Sequence, residues 1–174
     1  MTIPMLANTI LRPVRLLDVP KIFLLIQQGS VEGAFSESYL NARGHVALLK
    51  QLLWLSMSTW SVSPPVRPNS SSLFVYENMN NLLGFAWLSR GGGEEPQISL
   101  SMFALAPEYM GKGWGKLFLE KIESVIPKGQ SLRAECTPYA QNMKSMLKHN
   151  GFRRLRQSIV PAGCRGLDVY IKKL

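Results

Sequence analysis

The stretch from Ala106 to Ile126 constrains this chain more than any other. It reads Ala-Pro-Glu-Tyr-Met-Gly-Lys-Gly-Trp-Gly-Lys and then runs into an amphipathic segment, so Gly111, Gly113 and Gly115 alternate with Lys112, Trp114 and Lys116. Three positions without a Cβ, placed where a strand hands over to a helix, let the backbone come close to a ligand. Glycine accepts the φ values that turn successive N–H groups the same way, and the first amides of a helix have no intrahelical partner. Such a concavity attracts anions, phosphates above all. Lys112 and Lys116 add charge of the matching sign. The helix is marked by Trp114, Leu117, Phe118, Ile122, Val125 and Ile126 at three- and four-residue spacing, with Pro127 and Gly129 to end it. Before the loop, Ile98, Leu100, Met102 and Ala104 alternate with Ser99, Ser101 and Phe103, which is the period of a strand.

Spacing separates the phosphate-binding readings of a strand–glycine loop–helix unit. A P-loop needs Gly-x-x-x-x-Gly-Lys-Ser/Thr, but Met110 stands five residues before Gly115 and Leu117 follows Lys116. A dinucleotide fingerprint needs Gly-x-Gly-x-x-Gly with an acid about 20 residues on. Glu135 stands near that distance, yet the glycines here run Gly-x-Gly-x-Gly, which leaves a nicotinamide-dinucleotide enzyme as the weaker alternative. The run Leu105 to Lys116 resembles the acetyl-CoA loop of the GNAT N-acetyltransferase superfamily. That family's Gln/Arg-x-x-Gly-x-Gly/Ala pattern falls on Met110, Gly113 and Gly115. Met110 departs from the usual Gln or Arg, which predicts weakened rather than abolished cofactor binding.

A second block, Glu135 to Phe152, is similar to the family's strand-to-helix segment that ends in Gly-Phe. Around these blocks the chain reads in order as a strand at Thr9–Val14 and a helix from Val19 to Gln28, with Asp18 as its expected N-cap and Pro20 in its first turn. A polar connector precedes a second helix from about Tyr39 to Met57, and a Ser/Pro-rich loop spans Ser58 to Ser72. Leu73–Tyr76 and Leu82–Ser89 form a hairpin, with Gly91 to Pro96 as the next turn. After the central helix come a strand at Leu132–Cys136, a helix at Ala140–Asn150, and strands at Phe152–Val160 and Leu167–Lys172. This order is similar to that of the GNAT fold. The resemblance implies an α/β (α+β) chain with a mixed, mostly antiparallel central sheet of about seven strands and four helices, splayed at strand 4.

Length and composition bound the rest. The 174 residues, 46% of them hydrophobic, predict one domain over residues 1–174 with a sizeable core. Cys136 and Cys164 make no disulfide framework, and His45 and His149 offer no zinc spacing, so no metal is expected and a reducing cytoplasm is the default. Met1 to Thr9 lacks the pattern of a signal peptide, and Leu48 to Met57 is too short and too interrupted to span a bilayer. That second helix is more apolar in its C-terminal half than a half-buried stripe needs; buried packing explains it best, and a homodimer surface or acyl-chain contact is the other reading. The net charge of +9 is uneven. Residues 128–174 carry ten Lys and Arg against Glu135 and Asp168, while residues 1–127 carry ten against nine. The basic quarter is a solvated face, or it attracts a phosphorylated cofactor or an acidic or RNA-linked substrate.

The resemblance implies an acetyl-CoA-dependent N-acetyltransferase that moves the acetyl group to a primary amine, of a small molecule or a peptide, by direct attack. The cofactor would be held by the main chain of Phe103, Ala104 and Leu105, by Met110, Gly111, Lys112, Gly113, Trp114, Gly115 and Lys116, and by Asn142, because the family's usual Asn falls on Ala140. Such chemistry needs a neutral amine, an N–H for the developing oxyanion and a proton for the thiolate. Candidate bases are Glu32, Glu37 and Glu77, with Glu32 preferred. The family's proton-donating Tyr falls on Leu147, which has no proton to give, so Tyr139 is the nearest candidate acid. Met110 and Leu147 together motivate a different class of function, a catalytically silent acyl-CoA binding module.

Overall fold

A computed structural model describes residues 9–58, 71–90, 97–155 and 166–174. The expectations for Met1 to Asn8, for most of the Ser/Pro-rich loop, for the turn at Gly91 to Pro96, for Cys164 and for the later part of the strand begun at Phe152 lie outside them. In chain order the elements are β1 (Thr9–Pro13), α1 (Val19–Val31), α2 (Ala42–Ser58), β2 (Ser72–Asn78), β3 (Asn81–Arg90), β4 (Gln97–Leu105), α3 (Trp114–Val125), β5 (Ser131–Cys136), α4 (Gln141–His149), β6 (Arg153–Arg154) and β7 (Asp168–Lys173). The seven strands form one sheet in the order β1-β2-β3-β4-β5-β7-β6. Among the described residues only β4 and β5 pair in parallel, so the doubly wound sheet of a dinucleotide enzyme is absent.

Each face of the sheet carries its own core. Phe118, Leu119, Ile122 and Ile126 of the α3 segment and Leu147 of α4 pack with Phe74, Tyr76, Leu83, Leu100, Leu132 and Tyr170. On the other face Ile22 and Ile26 of α1 and Leu48, Leu52 and Leu55 of α2 pack on Leu73, Val75, Phe85 and Trp87. The second helix is therefore apolar partly for burial, but Val46, Leu49, Trp54 and Met57 stay exposed on its outer side. Among the described residues no helix is long and apolar enough to cross a membrane.

Local chemistry moved one expected boundary and undid one expected cap. The expected second helix divides into a 3-10 turn at Glu37–Leu40 and α2, because Asn41 is extended and its Oδ1 accepts the Gly44 N–H at 2.8 Å, the bond of an N-cap. Asp18 precedes α1 as expected but does not cap it. Its carboxylate turns back to Arg12, accepting from Nη1 at 2.7 Å and Nη2 at 2.9 Å, and takes the Arg15 N–H at 2.7 Å. A bidentate, charge-assisted pair in a buried site outweighs a neutral cap bond. Arg12 also donates to Glu77, so one guanidinium clamps β1, β2 and the entry to α1.

The strand leading to the loop is where simple alternation fails. Leu88 pairs with Leu100 and Trp87 with Met102, which leaves Ser101 as an extra residue on β4. A bulge of one residue reverses the side on which every later side chain points. Leu100 faces the α3–α4 core, whereas Met102 and Ala104 pack on the α1–α2 side; Phe103 and Leu105 return to the α3 side, where Phe103 stacks on Phe118 at 4.7 Å. The alternation of Ile98, Leu100, Met102 and Ala104 thus keeps to one face only as far as Leu100.

Candidate functional site

β4 and β5 share a register only from Gln97–Ser131 to Leu100–Ala134. Beyond that point β4 continues through Leu105 on the β3 side alone, and β5 continues through Cys136 on the β7 side alone. A wedge opens between them that begins at the bulge. Its β4 wall presents the main chain of Ser101 to Leu105 without a β5 partner, which is where a ligand with its own amide groups can complete the ladder.

The glycine loop follows at the end of β4. Ala106 N–H donates to the Leu83 carbonyl at 2.8 Å, and a 3-10 turn at Pro107–Tyr109 carries the chain over to Gly111. Gly111 and Gly113 have φ of 71° and 84°, the left-handed region where glycine is favoured. A Cβ built on either meets nothing within 4 Å, so the space in front of the loop is open and the backbone is its floor. The amides of Trp114, Gly115 and Lys116 open α3 and have no carbonyl one turn earlier within the helix. This is a concavity that fits an anionic group.

The remaining residues expected to hold the cofactor divide in two. Trp114 is buried and meets Tyr76 edge-on at 6.4 Å, so its indole fixes the start of α3 to the core. Gly115 lacks a Cβ for a packing reason, since one there would stand 2.9 Å from Met146 Sδ and 3.5 Å from Leu105 Cδ1. Lys112 Nζ turns back to the Glu108 carbonyl at 2.7 Å, and Lys116 stands 3.9 Å from Glu120 on the surface. Met110 is half exposed beside the open space, and Asn142 is exposed in the first turn of α4.

At the other wall, Thr137 Oγ1 donates to the Gly33 carbonyl at 2.8 Å, and the Tyr139 ring covers Gly33, whose added Cβ would stand 3.0 Å from Tyr139 Cδ2. The turn after α1, whose helix packs on the β3–β4 side, therefore reaches the β5 side. It brings Glu32, the residue before Gly33, into the same neighbourhood as Tyr139. Both are exposed; Glu32 accepts from Gln28 Nε2 at 3.0 Å. Glu37 is also exposed, at the start of the 3-10 turn. Glu77 is different: it is buried against Arg12 and is committed to that ion pair, which removes it from the candidate bases.

Leu147, the counterpart of the family's Tyr, is fully buried in the α3–α4 core. His149 stands at the far end of α4, with Nδ1 against the Ser145 carbonyl at 2.7 Å. Cys136, the last residue of β5, is buried, and that burial pushes its thiol up to about 11, with Lys144 pulling down and Asp168 pushing up. It stays a neutral thiol at physiological pH and is no activated nucleophile. Two features escaped the sequence reading. The bulge at Ser101 leaves no signature in an alternating pattern, and the Gly33–Tyr139 contact joins residues far apart in the chain.

Comparison with known proteins agrees with this geometry. The model of the acetyltransferase (GNAT) family matches residues 36–152. A search by sequence among curated proteins finds no match. Among solved structures, an acetyltransferase from Thermus thermophilus aligns with a TM-score of 0.69 at 19% identity, over 98% of this chain and 99% of that one. RimL, a ribosomal L7/L12 alpha-N-protein acetyltransferase in complex with coenzyme A, aligns at 0.67 and 13% identity over 99% and 97%. Spermidine N-acetyltransferase from Vibrio cholerae, in complex with CoA and spermine, aligns at 0.64 and 15% identity over 95% of each chain. At these identities the likeness carries the fold, but the family model covers well over half of the chain. A wedge between parallel neighbours, a left-handed glycine loop at its mouth and that match together make this chain a member of the GNAT acetyltransferase family.

Proposed function

We propose that residues 1–174 act as one acetyltransferase domain, in the cytoplasm, which moves the acetyl group of acetyl-CoA to a primary amine by direct attack. The observation that carries this reading is the pairing of an unpartnered β4 wall with open, left-handed glycines at its end. When bound, acetyl-CoA supplies an activated thioester and an anionic pyrophosphate. In this reading the amides from Gly111 to Lys116 hold the phosphates, with Met110 and Asn142 beside them. The main chain of Phe103, Ala104 and Leu105 pairs with the pantetheine arm and orients an N–H toward the thioester carbonyl oxygen. Their side chains are free for packing, as the stacking of Phe103 on Phe118 requires.

The Gly33 contact supports a choice of acid and base. Tyr139 is the group that delivers a proton toward the sulfur, and Glu32 takes one from the incoming ammonium through a water. Two of the neighbours seen with CoA are named for different amines, a protein α-amine and spermidine, which supports an amine as the acceptor. A panel of polyamines, aminoglycosides and peptide N-termini, with thiol release as the readout, tests the reading. A rise in melting temperature with acetyl-CoA but no thiol release across the panel would favour the second reading, a silent acyl-CoA binding module. The observation behind that alternative is Leu147, an apolar side chain sealed in the core at the position of the family's acid.

A further inference from the structure

Part of the surplus positive charge lies away from the wedge. Of the ten Lys and Arg in residues 128–174, Arg133 pairs with Glu135, Lys144 and Arg154 share Asp168, and Lys172 pairs with Glu123. Arg156 and Arg165 lie outside the described residues. Lys128, Lys148, Arg153 and Lys173 remain, all exposed and with no ion pair among the described residues. The strand registers show where they stand. Arg133, Ile171 and Arg153 occupy one row across β5, β7 and β6, so their side chains share a face, and Lys173 is on that face two residues along β7. Gly129 N–H donates to the Leu174 carbonyl at 2.8 Å, which sets Lys128 beside Lys173. Lys148 does not belong with them: it is in the last turn of α4, on the other side of the sheet, two residues from Met146, whose Sδ would stand 2.9 Å from a Cβ on Gly115.

This face is the side of the sheet that α1 and α2 cover over β2 and β3, and they do not extend across it to β5 and β7: none of its residues belongs to the α1–α2 core. Val169 and Ile171 are only half-buried there. Lys173 lies opposite Ser131, and Ser131 opposite Gln97, the first residue of the nine-residue β4. The glycine loop follows the last residue of that strand, about 25 Å away along it. That exceeds the Debye length of about 8 Å at physiological salt several times, so these cations contribute little to holding a cofactor phosphate.

We propose that this basic face, which α1 and α2 leave uncovered, is a docking surface for the phosphate backbone of a double-helical RNA, with an RNA hairpin as the probe. Cations fixed on neighbouring strands suit a polymer with regularly repeated anions. The face has no aromatic side chain among its described residues, so it offers neither a platform for stacking single-stranded bases nor the aromatic anchors of a protein interface. Recognition is therefore through phosphates and without base readout. Docking there leaves the wedge open, and the inference does not depend on acetyl transfer.

The test is fluorescence anisotropy of a labelled RNA hairpin with the full chain, between about 50 and 200 mM salt, with acetyl-CoA-induced stabilisation measured on the same samples. Three phosphate contacts, from Lys128, Arg153 and Lys173, give a log–log salt slope of about −2 to −3. Arg153→Glu/Lys173→Glu should weaken binding at least tenfold and flatten the slope, while melting temperature and the acetyl-CoA shift stay at parent values. Lys21→Glu/Lys50→Glu makes the same change in net charge on the exposed sides of α1 and α2, and should change RNA affinity less than twofold. Equal losses in the two double variants would overturn the proposal, because net charge alone would then explain binding. So would competition between acetyl-CoA and RNA, polyglutamate binding as tightly as the hairpin, or the absence of RNA binding at the low end of that salt range.

Discussion

The sharpest prediction sets Gly113 against Gly115. Gly113→Ala places a Cβ in open space at φ 84°, so its cost to the fold is conformational, with no clash. A left-handed L-residue costs about 1–2 kcal/mol, and the stiffer unfolded chain returns about 0.4–1 kcal/mol. The net loss of about 1 kcal/mol lowers the melting temperature by roughly 2–4 °C for a chain of this size. Gly115→Ala is opposite in kind. Inside a helix, alanine is favoured over glycine by about 1 kcal/mol. That gain is offset by the approach to Met146 Sδ at 2.9 Å, which a flexible thioether can relieve by swinging aside. Without ligand, Gly115→Ala should therefore melt close to the parent.

Acetyl-CoA separates the two. If the amides around Gly113 hold the pyrophosphate, a Cβ in that open space stands where the phosphate must come, and affinity should fall more than tenfold, or about 1.4 kcal/mol. At a fixed, saturating acetyl-CoA concentration the ligand-induced stabilisation falls by the same amount, a further roughly 3–6 °C. Gly115→Ala should keep most of the parent's shift. Differential scanning fluorimetry with and without acetyl-CoA, backed by calorimetric titration, reads both quantities. A Gly113→Ala protein that folds and keeps the parent's acetyl-CoA shift would refute the phosphate cradle. A Gly115→Ala protein that loses the shift equally would refute the packing role given to Gly115.

The other predictions are shorter. Leu147→Tyr inserts a larger, polar side chain at a fully buried position and should cost about 1–3 kcal/mol of stability without raising turnover. Tyr139→Phe should lower turnover by about 10²-fold with little change in acetyl-CoA affinity, and an unchanged rate would remove Tyr139 as the acid. Asp18→Asn should destabilise the chain by about 3 kcal/mol at neutral pH, as breaking a buried pair does. Burial alone would raise the Asp18 carboxyl, but its bonds from Arg12 and the Arg15 N–H hold it below its ordinary value of 3.8. Its contribution is thus complete above that value and lost as pH falls through the lower folded value, so parent and variant should converge in acid denaturation below about pH 4. Curves that stay parallel well below that pH would refute the account.

Periodicity made the helices and most strands legible, because each buries one face: Ile22 and Ile26 on one side of the sheet and Phe118, Leu119 and Ile122 on the other. The glycine loop was legible because positive φ leaves a mark in residue type. Asn41 was readable in principle as an N-cap, but Tyr39 and Leu40 just before it drew the boundary earlier. Charge composition revealed that the C-terminal quarter is basic, yet not that Lys128, Arg153 and Lys173 gather at the end of the sheet remote from the glycine loop; that needs the pairing of β5, β6 and β7. Tyr139 was singled out for its phenol, and only the fold sets it against Gly33 and so beside Glu32.

The bulge at Ser101 ties these observations to one physical device. Without it, Met102 and Leu100 would face the same core and β4 could stay flat against β5. With it, Met102 and Ala104 are gripped from the α1–α2 side while Phe103 and Leu105 are gripped from the α3 side. The strand is thus held by both layers in the span where it has no β5 partner, so an open main-chain edge is kept rigid by side-chain packing rather than by hydrogen bonds. Ser101 and Ser89 share a hydroxyl–hydroxyl bond of 2.7 Å across the irregular step. A ligand that pairs with that edge meets a wall already ordered, so it does not bear the roughly 1–2 kcal/mol per residue of fixing the backbone itself.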